Sequence, residues 1–148
     1  MTRREILLNI AAENDIEFFD YPCKRTEALL CIIPCGGAKI GIDYTQIKSP
    51  ADEIVKMAHE LGHYITDSYY DANIPLETRE RCEYKANVWA IKQLIPWAEL
   101  HLAFEDGIVD ARELAEYFDV TLNFMELALD YYISRKGYLR STRKLAAE

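Results

Sequence analysis

Apolar and polar positions along this chain follow two different periods, and the switches between them mark out its elements. Ile6, Leu7, Ile10 and Ala11 recur at helical spacing, which predicts an opening amphipathic helix. Three short runs follow at 16–19, 28–33 and 39–43. The first is apolar and aromatic, the second is a nearly continuous apolar run, and the third alternates, with Ile40 and Ile42 on one face. Pro22 breaks the chain after the first run, and Pro34, Gly36 and Gly37 mark a turn between the second and third. The expectation is a small antiparallel sheet with 39–43 at its edge, where an extended peptide could add as a further strand.

From Ser49 the period becomes helical. Ser49 can cap, Pro50 suits the first helical position, and Asp52 and Glu53 favour the positive end of the helix dipole. Ile54, Ala58, Leu61 and Ile65 then form a stripe at steps of four, three and four, which predicts a helix of about four turns. Asn73, Ile74 and Pro75 punctuate the chain before a second long helix over 77–95. Shorter helices are expected over 97–104, 111–118 and 122–133, separated at Gly107 and at 119–121. No repeat, low-complexity tract or linker intervenes. The 148 residues therefore read as one α+β domain, 1–148, with a small sheet, a central helix and a helical C-terminal half.

Charge narrows the function classes. With 17 Lys and Arg against 25 Asp and Glu, the formal net charge is −8, and such a surface repels phosphate backbones. The basic cluster at 135–144 reads as a solvated helix end. Residues 114–129 loosely resemble a helix-turn-helix, but 121–130 holds no lysine or arginine, which makes a poor groove reader. Direct nucleic-acid binding is not expected. No apolar stretch approaches the roughly 18 residues needed to cross a bilayer, so no membrane association is expected either. Glu13, Asn14 and Asp15 interrupt the first apolar run, which reads as a helix and not as an export signal. The expectation is a cytoplasmic protein whose Cys23, Cys31, Cys35 and Cys82 are reduced, buried and inert. Their spacing lacks the paired C-x-x-C of a four-cysteine zinc site.

The chemistry concentrates on the central helix, in His59-Glu60-Leu61-Gly62-His63. Residues four apart lie only about 40° apart around a helix and roughly 6 Å apart along it, so both imidazoles can reach one ion. Zinc accepts neutral histidine nitrogens, and a catalytic site keeps its fourth position for water. Glu60, about 100° round from His59, can face that water as a general base. A third ligand must come from elsewhere. Asp67 is about 12 Å along the axis from His59, too far for one ion. Glu83 is the better candidate, because it shares a face of the next long helix with Ala86 and Ala90, which would let the two backbones approach. Glu80, one turn earlier, shares that face and is its rival.

Here the residues resemble a known family. The H-E-L-G-H motif, then Glu83-x-x-Ala86-Asn87-x-Trp89-Ala90, then Leu94-Ile95-Pro96, looks like the ImmA/IrrE metallopeptidases, and so does the stretch from Leu114 to Thr121. The likeness spans about 39–135; Trp89 stands where phenylalanine is commoner. It implies a zincin-like fold, zinc held by His59, His63 and Glu83, and Glu60 as the catalytic acid/base. It also implies a substrate: a partner repressor with a helix-turn-helix domain, often of a phage or mobile element, so that the protein acts as an anti-repressor. The alternative is a regulatory protein that binds such a repressor without cutting it.

Several other residues carry weaker expectations. Asn87 could orient Glu83 from one turn further on. Gly62, which costs a helix up to about 1 kcal/mol relative to alanine, is explained by close packing beneath the metal. Tyr64, Tyr69, Tyr70 and His101 are possible oxyanion donors.

Overall fold

Thr2 opens the first helix with reciprocal caps. Its hydroxyl accepts from the Glu5 amide at 3.2 Å while the Glu5 carboxylate accepts from the Thr2 N–H at 2.7 Å. The computed structural model describes residues 1–22, 28–34, 36–71 and 73–135. Helix α1 (Arg3–Glu13) buries Leu7 and Ala11. Three strands follow, β1 (Ile16–Asp20), β2 (Ala28–Ile32) and β3 (Ala38–Ile42).

The sheet corrects the expected pairing. Its order is β1-β3-β2, with β3 parallel to β1 and antiparallel to β2. It is therefore mixed, and the third run is its centre, not its edge. The burial of β3 agrees, because Ala38, Ile40, Gly41 and Ile42 are all buried and only Lys39 is exposed. In β2, Leu29, Cys31 and Ile32 are exposed. Cys31 thus departs from the expectation of buried thiols because it sits on an edge strand. Cys82 is half-buried, and Cys23 and Cys35 lie outside the described residues, as does the basic tail beyond Arg135.

Helix α2 (Pro50–Ile65) packs against β2, β3 and α1. Ser49 caps it by accepting from the Asp52 amide at 3.1 Å. Its buried stripe is Met57, Ala58, Leu61, Gly62 and His63, while Ile65, at the last turn, is exposed. Helix α3 (Leu76–Leu94) crosses it where Gly62 meets Ala86. A Cβ on Gly62 would lie 2.6 Å from the Ala86 carbonyl oxygen, so only glycine permits this approach. The packing explanation for Gly62 holds.

The chain divides into two compact units, Met1–Ala90 and Ile91–Glu148. In the second unit, α4 (Trp97–Glu105), α5 (Ala111–Phe118) and α6 (Leu122–Arg135) lie where the helical periods predict them. Asp110 caps α5, and Asp119, in the left-handed conformation, ends it. Leu100, Leu114, Phe118 and Met125 are fully buried, and the Tyr132 hydroxyl donates to the Ile95 carbonyl at 2.7 Å. Among the described residues no helix is long and apolar enough to cross a membrane.

Candidate metal centre

Both histidines of α2 are aimed by their outer ring nitrogens. His63 Nδ1 lies 2.8 Å from the Ser68 carbonyl oxygen, which can only accept, so the proton is on Nδ1. His59 Nδ1 lies 2.8 Å from Asn87 Oδ1, again an acceptor. In the neutral rings both Nε2 atoms then carry a bare lone pair, and they stand 3.1 Å apart.

Glu83 on α3 closes the third side. Its Oε2 lies 2.8 Å from His59 Nε2, and its Oε1 lies 3.4 Å from His63 Nε2. The three ligand atoms lie within 4.8 Å of one another. Two lone pairs and a carboxylate pointed at one spot repel unless a cation sits among them. Two imidazole nitrogens and a carboxylate oxygen are also a donor set suited to zinc. The residues present fit the metal. Glu80, the rival third ligand, is exposed on the same helix.

Asn87, expected beside Glu83, instead holds His59. Ser68 was not foreseen, because what it supplies is a backbone carbonyl and its side-chain type carries no hint of that. The turn that delivers this carbonyl is itself pinned. Ser68 N–H donates to the His63 carbonyl at 2.9 Å, and the Thr66 and Ser68 hydroxyls meet at 2.6 Å.

A cleft of about 320 Å³ adjoins the cluster, lined by Glu60, His63, Tyr69, Tyr70 and Glu83 together with Ala28, Leu29 and Leu30 of β2. Of the four donors considered, Tyr69 and Tyr70 reach this cleft. Tyr64 is not among its lining residues, and His101 belongs to the second unit, where it pairs with Glu105 at 3.1 Å. The Tyr70 hydroxyl donates to Glu83 Oε1 in a short hydrogen bond.

The electrostatics follow from this packing. Where Nε2 carries a proton in place of a metal, hydrogen bonds from His59, then His63, hold Glu83 well below the usual carboxylate range, although its partial burial works against them. Burial lowers the His63 pKa, but its bonds to Glu83 and to the Ser68 carbonyl outweigh that and leave it raised. Burial pushes Tyr70 up to about 12, helped by its bond to Glu83, so the phenol keeps its proton at neutral pH. Burial also raises Glu60, against the pull of the two histidines.

Comparison with known proteins agrees with this geometry. The pattern of Peptidase_M78, the IrrE N-terminal-like domain, matches residues 14–130. No curated protein is detectably similar to the chain. The matched span contains both α2 histidines, Glu60 and the Glu83 that meets them. The chain therefore belongs to the IrrE N-terminal-like family and is a metallopeptidase built on H-E-x-x-H plus a downstream glutamate.

Proposed function

We propose that this protein is a zinc-dependent endopeptidase, one domain over 1–148, in which His59, His63 and Glu83 hold the metal and Glu60 is the catalytic acid/base. Its substrate is a partner protein, a helix-turn-helix repressor of a phage or mobile element, which makes it an anti-repressor. One observation carries the reading: two Nε2 lone pairs and a carboxylate converge on a point beside a cleft that Glu60 also lines. The repressor substrate comes from the family resemblance.

Bound there, zinc would supply Lewis acidity toward the scissile carbonyl and lower the pKa of a water from about 15.7 toward 7. Glu60 takes the proton of the attacking water and passes it to the leaving amine. Asn87 and Ser68 keep both imidazoles in the tautomer that presents Nε2. The substrate chain is proposed to lie along β2, the edge strand whose Ala28, Leu29 and Leu30 line the cleft, and not along β3, which is paired on both sides.

The test is to co-express the candidate repressor with the wild type and with Glu60→Gln. Full-length repressor should disappear only with the wild type, and its fragments should appear. Full relief of repression by Glu60→Gln, with the repressor intact, would establish regulation by binding without cleavage.

A further inference from the structure

The two oxygens of Glu83 occupy different surroundings. Oε2 faces His59 Nε2 at 2.8 Å, whereas Oε1 receives the Tyr70 hydroxyl and stands 3.4 Å from His63 Nε2. A carboxylate can give a metal one oxygen or two. Two, added to the histidines and a water, would make the metal five-coordinate in place of the four-coordinate arrangement of a catalytic zinc.

Tyr70 is held in place independently of that bond. The edge of its ring meets His63 at a centroid distance of 5.9 Å and an interplanar angle of 79°. The Arg79 guanidinium sits over the ring, with Cζ 5.5 Å from its centroid. In sequence, Tyr70 follows by two residues the Ser68 that α2 pins through the His63 carbonyl, the His63 ring and the Thr66 hydroxyl. The hydroxyl therefore arrives at Oε1 on a fixed ring at the end of a fixed turn.

We propose that Tyr70 is a positioning residue that restricts Glu83 to one metal-bound oxygen and so keeps the centre four-coordinate, with its fourth position for water. The proposal rests on the metal reading above. It assigns Tyr70 a task distinct from oxyanion stabilisation: the hydroxyl engages the ligand, and it acts before any substrate arrives.

Cobalt(II) is the probe, because four-coordinate cobalt absorbs visible light several-fold more strongly than five-coordinate cobalt. Wild-type protein loaded with cobalt should show the intense four-coordinate bands. Tyr70→Phe keeps the ring, its contacts with His63 and Arg79, and the cobalt, but its bands should weaken several-fold as Glu83 becomes bidentate. Superimposable spectra from the two loaded proteins would overturn the role of Tyr70 while leaving the metal centre standing. So would a tyrosinate-to-cobalt charge-transfer band in the wild type, which would make Tyr70 a ligand. Failure of the wild type to take up cobalt at all would overturn both the proposal and the centre it rests on.

Discussion

Asn87 Oδ1 stands 2.8 Å from His59 Nδ1, across the junction of α2 and α3 and one helical turn beyond Glu83. The helix that supplies a carboxylate to the centre thus also orients one of the opposing imidazoles. Partners of this kind typically contribute 10- to 100-fold in metal affinity. Asn87→Ala should weaken zinc binding by about that factor in a chelator competition, whereas Asn87→Asp, which keeps the acceptor, should weaken it far less. Equal affinity in all three proteins would remove Asn87 from the centre.

The approach of the two helices depends on Gly62. Because an added Cβ would fall 2.6 Å from the Ala86 carbonyl oxygen, Gly62→Ala must push α3 away from α2. Overpacking of this kind costs about 1–3 kcal/mol, and here it also moves Glu83 and Asn87 away from the histidines. Lower thermal stability together with weaker zinc binding is expected. Ala58→Gly, also buried on α2, serves as a control that should lose stability without the same loss of metal affinity.

The shifted groups make the stability of the metal-free protein pH-dependent. Glu83 is depressed below its ordinary 4.5, so its contribution is present above pH 4.5 and lost as pH falls below that. His63 is raised above its ordinary 6.5, so its contribution is present below pH 6.5 and lost as pH rises through the folded value. Glu60, raised by burial, acts in the same sense as His63 and favours the lower pH. The stabilisation from the His63–Glu83 pair should therefore peak between about pH 4.5 and 6.5. Thermal melts of chelator-treated wild type and Glu83→Gln should differ most in that window and converge toward pH 8. A difference that grows toward pH 8 would contradict the assignment.

Amide hydrogen exchange can locate the substrate. Binding of a peptide from the cleaved region by Glu60→Gln should slow exchange within 28–32 and leave β3, already paired on both sides, unchanged. Protection confined to the second unit would place the substrate elsewhere.

The site was more legible in the sequence than the sheet. Histidines four apart on a confident helical stripe can only share a face, and Glu83 lay on the one neighbouring helix with small residues beside it. These are constraints of local geometry, which periodicity carries. Strand order is not local. The alternation of Ile40 and Ile42 shows which face is buried but not which strand lies alongside, and the small residues Ala38 and Gly41 hid how completely β3 is enclosed. Asn87 was placed one partner away from its real one, because helical spacing ties it to Glu83 while only the crossing of the helices brings it to His59. Ser68 acts through a backbone carbonyl, which every residue possesses, and no side-chain pattern could have singled it out.

Zinc stoichiometry is the most direct test of the centre. After equilibration with zinc and removal of free metal, elemental analysis should find one zinc bound per wild-type chain and essentially none in His59→Ala, His63→Ala or Glu83→Ala. A wild type that retains no zinc, or a Glu83→Ala variant that retains as much as the wild type, would contradict the account.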